Sequence, residues 1–200
     1  MVNNKVLNVA EKNDAAKNIA EIMSRGGSNR RDGLSVYNKI YEFQYQVQGV
    51  MSNMVMTSVS GHLLGMDFSE QYRKWYSCHP VQLFDLPVEK NCREDNMIKI
   101  KRTLEREARG VRLLIIWTDC DREGENIGME VVSVCRGVNP GIRVLRAKFS
   151  EITRPSIDRA MRQLTQVLYI MFTCNIVSFH FLTRLMRMYL LQLTADKSLT

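Results

Sequence analysis

Three carboxylates at alternate positions, Asp119, Asp121 and Glu123, follow directly on an apolar run, Leu113 Leu114 Ile115 Ile116 Trp117. Such a run reads as a buried strand, and it delivers the acidic residues to its own carboxyl end. In an open α/β sheet, ligands bind beyond the strand ends, and carboxylates there present the oxygen donors that Mg²⁺ takes. The chemistry such a cluster serves is phosphate chemistry with a divalent metal. Three crowded carboxylates repel one another at low effective dielectric, so a bound cation is the economical reason for their clustering. A solvated acidic loop is the plainer reading, and glycosyltransferases and aspartyl phosphatases also use a bare Asp-x-Asp. An aspartyl phosphatase would place small residues and a Thr after its first Asp, whereas Arg122 and Glu123 follow here. Gly124 allows a tight turn, and Glu125 falls in the first turn of the next helix, where the dipole favours an anion.

A further carboxylate, Glu11, stands at the end of the apolar stretch Lys5 to Ala10. In a parallel sheet that strand could neighbour the one ending at Asp119. Taken alone, Glu11 reads equally as a helix-capping carboxylate. Lys12 reads as a phosphate-neutralising cation or as an ordinary solvated lysine.

The elements that must hold these residues alternate between strand and helix. Lys5 to Ala10 predicts a strand and Ala15 to Met23 a helix. Ser24 to Gly33, rich in Gly, Ser, Asn and Arg, predicts a mobile basic loop, with Arg25, Arg30 and Arg31 either touching the backbone of a polyanionic partner or solvated. Tyr41 to Val47 and Met54 to Val59 predict two strands that could pair, the second ending at Ser60 Gly61 His62. Phe68 to Pro87, with Tyr72 Arg73 Lys74 Trp75 Tyr76, has no clean period and reads as an irregular segment in which His79 Pro80 is a loop. Asp95 to Arg109 and Glu125 to Cys135 carry apolar residues at helical spacing. Ile142 to Leu145 is the next strand. Thr153 to Leu164 is a helix with Thr153 as cap and Pro155 in the first turn. This alternation argues for an α/β fold with a mostly parallel sheet flanked by helices.

With 200 residues, 45% hydrophobic and 24% charged, the chain is long enough for a domain with a real core and is not a disordered one by composition. A net charge of +7 fits a polyanionic partner, although a basic protein needs none. The five cysteines show no CxxC pair and no spacing for zinc or a disulfide framework, which fits a reducing compartment. Met1 to Lys5 has neither a signal-peptide nor a transit-peptide pattern, so secretion is not expected.

Four motifs taken together are more specific than any one. They are Ala10 Glu11 Lys12; Ser60 Gly61 His62 Leu63; Thr118 Asp119 Cys120 Asp121 Arg122 Glu123 Gly124 Glu125 Asn126 Ile127 Gly128; and Arg146 Ala147 Lys148 Phe149 Ser150 Glu151 Ile152 Thr153. The set resembles the amino-terminal Toprim region of type IA DNA topoisomerases. The likeness continues through Lys39 Ile40 Tyr41 Glu42 Phe43 and Arg73 Lys74 Trp75 and covers about the first 163 residues. It implies a Rossmann-like Toprim domain over residues 1–152, the start of a following helical domain over 153–164, and a divergent apolar tail over 165–200. It also implies Glu11 as the carboxylate beside the scissile phosphate and Lys12 as its positive partner. Glu11, Asp119, Asp121 and Glu123 become the Mg²⁺ site, and Lys12, His62 and Arg122 become contacts to DNA. His62 reads equally as satisfying a local hydrogen bond. Many relatives have Pro and Ser after the Lys, where this chain has Asn13 and Asp14.

The family cuts one strand of DNA through a tyrosine, holds the 5′ phosphate, passes another strand and reseals. The resemblance therefore implies single-stranded DNA segments as substrate, a RecQ-type helicase and an OB-fold protein as partners, and the nucleus or mitochondrion as the place of action. The tyrosine belongs in a context resembling Ser Tyr Gly followed by Gln Phe Pro Thr, which neither Tyr169 nor Tyr189 has. These 200 residues are expected to be inactive by themselves, and a non-catalytic metal- and DNA-binding module, a truncation that competes for partners, and a self-sufficient Toprim nuclease are the alternatives. From Gln166 to Thr183 there are 18 uncharged residues, where the family has an acidic region. That is marginal for a span of about 20 apolar residues, and Asn175, Ser178 and His180 weaken it. An intron-derived or frame-shifted tail, a helix covering Toprim surface, and a weak membrane anchor are the readings of this segment.

Overall fold

The computed structural model describes residues 4–72, 74, 76–79, 82, 86, 88–92 and 94–167. Arg73, Trp75, Pro80 and residues 168–200, including Tyr169, Tyr189 and most of the apolar tail, lie outside them. The described residues fall into two compact units, one of residues 4–65 with 92–167 and one within residues 66–91.

The first unit runs β1 (Lys5–Ala10), α1 (Asn13–Ser24), β2 (Asn29–Asp32), β3 (Lys39–Val47), β4 (Val50–Ser58), then α2 (Asp95–Ala108), β7 (Leu113–Trp117), α3 (Arg122–Val138), β8 (Arg143–Arg146), α4 (Arg154–Arg162) and β9 (Thr165–Gln166). Between them, β5 (Gly65–Phe68) and β6 (Val88–Asn91) pair as a separate two-stranded sheet, with a 3₁₀ turn at Glu70–Tyr72. In this stretch the backbone N–H of His79 donates to the Gln82 side chain at 3.1 Å, so His79 sits in a turn as expected.

The main sheet has seven strands in the order β2-β3-β4-β1-β7-β8-β9. β4, β1, β7 and β8 run parallel, in a register that sets Ala10 beside Ser58 and Trp117, and Ile116 beside Arg146. The carboxyl ends of four adjacent strands therefore finish on one line. The parallel reading holds for this centre, whereas β2, β3 and β9 join antiparallel. The loop expected at Ser24 to Gly33 is corrected in its second half, because β2 pairs with β3 there. Arg31 is not loose, since its Nε meets Glu42 and its Nη2 meets Glu107, both at 2.8 Å.

Strand alternation divides the core into two layers. Leu113, Ile115 and Trp117 join Val6, Ala10, α1 and α4 on one face of the sheet. Leu114 and Ile116 join Leu7, Val9, α2 and α3 on the other. On the face holding Trp117 the indole N–H donates to Asn8 Oδ1 at 3.0 Å, a buried polar bond within the core. β1 and β7 are buried on both faces, as central parallel strands must be, and so lose the alternation of a half-exposed strand.

Three local expectations change. α3 begins at Arg122, because the Asp121 carboxylate accepts from the Gly124 N–H at 2.7 Å and caps the helix. Thr153 holds the cap position of α4, but its hydroxyl bonds Glu151 at 3.0 Å instead of the helix. Thr165–Gln166, the first residues of the divergent segment, pair with β8. Cys78, Cys92, Cys120 and Cys135 are free thiols, and among the described residues no helix is long and apolar enough to cross a membrane.

Candidate active-site cleft

Because β1, β4 and β7 end side by side, the residues that follow them meet. Glu11, Lys12 and Asn13 after β1, Ser60 and Gly61 after β4, and Asp119, Asp121 and Glu123 after β7 line one open cleft of about 480 Å³. Short contacts join its walls. Glu11 Oε2 accepts from the Asp119 N–H at 3.5 Å, Glu11 Oε1 lies 3.2 Å from Lys12 Nζ, and the Gly61 N–H reaches the Glu11 carbonyl at 3.4 Å. Glu11 is drawn into this wall, its side chain 12% exposed, while Lys12 extends into solvent. The hydrogen bond and charge of Glu11, with Asp119 and Glu123 behind it, push the Lys12 ammonium above the ordinary lysine value. Lys12 is therefore a fixed cation at neutral pH beside an anion-rich wall.

The acidic loop is held from below by a residue whose structural role sequence reasoning missed. Arg146 at the end of β8 is 2% exposed. Its Nη1 donates to the Thr118 carbonyl and its Nη2 to the Asp119 carbonyl, both at 2.8 Å, and its Nε pairs with Glu125 at 2.9 Å. One buried guanidinium thus fixes the backbone that carries Asp119 and places a positive charge under the carboxylates. The signal for it was an arginine directly after the apolar pair Val144 Leu145 at the end of a strand, read only as part of a motif.

Gly124 has a different role from the turn expected of it. It lies inside α3, and a Cβ there would collide with the backbone of Asp119. The helix start can fold over the acidic loop only because that position has no side chain.

The other anticipated residues fall outside the cleft lining. Arg122 is exposed on the first turn of α3. His62 makes the local bond that was its alternative reading, with Nδ1 3.0 Å from Glu130 Oε1. Glu130, buried in the middle of α3, was not anticipated.

Among the described residues, no three His, Cys, Asp or Glu side chains converge on a point as a closed metal site. The donor set nonetheless fits Mg²⁺. It consists of carboxylate oxygens on a shared wall, and an octahedral ion that keeps several waters needs only one or two of them directly.

Residues 6–152 match the Toprim domain. The chain belongs to the Toprim family. DNA topoisomerase 3-alpha from Homo sapiens is 59% identical over 162 residues, which is 81% of this chain and 16% of the relative. The Drosophila melanogaster protein of that name is 56% identical over 162 residues, covering 81% and 13%, and the Arabidopsis thaliana one 50% over 159 residues, covering 80% and 17%. The chain is thus similar to a part of these topoisomerases and spans between 13% and 17% of their length. The Toprim expectation for the fold is met.

Proposed function

We propose that this chain supplies the phosphate-handling wall of a type IA DNA topoisomerase, which cleaves and rejoins one DNA strand through a 5′-phosphotyrosine link. The observation that carries the reading is the meeting of Glu11 and Lys12 with Asp119, Asp121 and Glu123 in one cleft at the ends of β1 and β7. Glu11 stands beside the scissile phosphate. Lys12, charged at neutral pH, offsets the negative charge that grows on the phosphate oxygens. Glu11, Asp119, Asp121 and Glu123 would hold Mg²⁺, which when bound supplies further positive charge to the phosphate and the strand end. His62 and Arg122 at the cleft margin contact the strand, with single-stranded segments as substrate. The nucleophilic tyrosine comes from outside these 200 residues, so the chain assayed alone neither relaxes supercoiled DNA nor forms a covalent adduct. Residues 1–152 are the Toprim domain and 153–164 open the next helical domain. A RecQ-type helicase and an OB-fold protein as partners, and action in the nucleus or mitochondrion, follow from the resemblance.

The test is a chimera in which residues 1–162 replace the matching part of the human relative. The expected result is Mg²⁺-dependent relaxation of negatively supercoiled DNA, abolished by Glu11→Ala. A folded chimera that never forms an adduct refutes the proposal. An adduct formed by the 200 residues alone would refute the assignment of the tyrosine elsewhere.

A further inference from the structure

Glu130 is a carboxylate in the interior of α3, its side chain 3% exposed. All of its described hydrogen bonds go to one short segment. Oε2 accepts from the backbone N–H of Leu63 at 2.8 Å and of Leu64 at 3.1 Å, and Oε1 lies 3.0 Å from His62 Nδ1. A buried carboxylate needs this many donors to offset its desolvation. The donors are not drawn from across the fold. They lie directly after Ser60 and Gly61, which line the cleft, and Gly61 is itself bonded to the Glu11 backbone. Glu130 therefore ties the wall of the cleft to α3 from behind.

The bond also decides the chemistry of His62. An ionised carboxylate can only accept, so the Nδ1 it faces must carry a proton. The ring is 45% exposed, and Nε2 is the nitrogen left for a ligand. On the neutral ring that nitrogen is unprotonated and accepts, so its ligand is a donor such as the amino group of a base. We infer that Glu130 is a positioning residue that sets the tautomer of His62 and the path of residues 60–64, so that Nε2 accepts a hydrogen bond from a base amino group of a DNA strand at the margin of the cleft. The DNA half of this inference rests on the function proposed above, and the tautomer half does not.

Glu130→Gln separates these roles without changing shape. The Leu63 and Leu64 amides still require an acceptor, so the Gln oxygen takes them and its NH₂ turns to His62 Nδ1. Nδ1 must then be the unprotonated nitrogen, and the neutral ring switches to Nε2–H. In ¹H–¹⁵N spectra of the 200-residue chain with labelled histidine, above the titration of the ring, we expect Nδ1–H for wild-type His62 and Nε2–H in the variant. A residue that merely braced the fold would not reverse the tautomer. Nε2–H in the wild type, or no switch in the variant, overturns the assignment. Binding of a fluorescent single-stranded oligonucleotide is the second arm. Glu130→Gln is expected to weaken it about fivefold, the worth of one net hydrogen bond, and His62→Ala by a similar factor. The double variant should bind no worse than His62→Ala alone. Additive losses overturn the claim that Glu130 acts through His62. Failure of the wild-type chain to bind the oligonucleotide overturns the DNA half, while the tautomer still decides the role of Glu130.

Discussion

Arg146 grips Asp119 by its backbone and leaves the carboxylate untouched. The guanidinium donates to the Asp119 carbonyl at 2.8 Å, and the side chain of the same residue lines the cleft. A positive charge can therefore sit beneath an acidic cluster without consuming one of its ligands. The fork shape matters, because one residue must reach the Thr118 and Asp119 carbonyls and Glu125 together.

Arg146→Lys should then fail as a conservative change. An ammonium carries its three donors on one nitrogen and cannot reach acceptors met by three separate guanidinium nitrogens, and each buried carbonyl left without a donor costs about 1–3 kcal/mol. We expect a loss of about 3 kcal/mol in urea unfolding, with Mg²⁺ binding weakened as the loop loosens. A lysine variant as stable as the wild type would refute the clamp.

Asp121 both caps α3 and lines the cleft, and two substitutions separate these roles. Asn caps a helix about as well as Asp, so Asp121→Asn should stay within about 0.5 kcal/mol of the wild-type stability and still lose Mg²⁺ affinity in calorimetry. Asp121→Ala should lose the affinity and about 1 kcal/mol of stability as well. Unchanged Mg²⁺ binding in Asp121→Asn removes this residue from the metal site.

Gly124→Ala forces a methyl group against the Asp119 backbone. Neither the helix nor the clamped loop can withdraw cheaply, so about 2 kcal/mol of stability should be lost. The amide shifts should be confined to the acidic loop and the start of α3, and an alanine variant with native shifts there would show that the loop gives way freely.

Acid should weaken the fold through Glu107. Burial raises the pKa of this carboxyl, but hydrogen bonds and charge from Arg31 and Lys5 outweigh burial and hold it at about 2, against an ordinary 4.5. Because the folded value is the lower one, the ion pairs stabilise the fold fully above pH 4.5 and are lost as pH falls toward 2. The effect is on the order of 2 kcal/mol, and it ties α2 to β1 and β2. Glu107→Gln should lower stability at neutral pH and flatten its fall between pH 4.5 and 2. Parallel stability curves for the two proteins would refute this origin of acid sensitivity.

Much of the scaffold was legible beforehand. The strands Lys5–Ala10 and Leu113–Trp117 have the bounds that their apolar runs suggest, because a strand buried on both faces needs a near-continuous apolar sequence, interrupted in β1 by Asn8 with its bond to Trp117. β2 was not legible. Asn29 Arg30 Arg31 Asp32 has no apolar face, and its strand exists because β3 offers it an edge and Glu42 and Glu107 receive Arg31. The start of α3 was misplaced for a similar reason. Whether Asp121 caps a helix or only precedes one depends on where the chain is held, and Arg146, 25 positions further on, does the holding.

The sequence by itself determined the acidic triplet after a buried strand, the carboxylate and lysine after another, and the basic character of the whole. Those are properties of neighbours along the chain, and their periodicity and composition carry them. Only the tertiary structure decided that β1 and β7 are adjacent, so that Glu11 reaches Asp119, and that β4 lies on the other side of β1. It also decided that Glu130, one of three glutamates on α3, faces inward to His62. Strand order and the burial of a charge depend on contacts between residues more than 100 positions apart, as Trp117 and Asn8 are. Local pattern constrains such contacts only through the core that they build together.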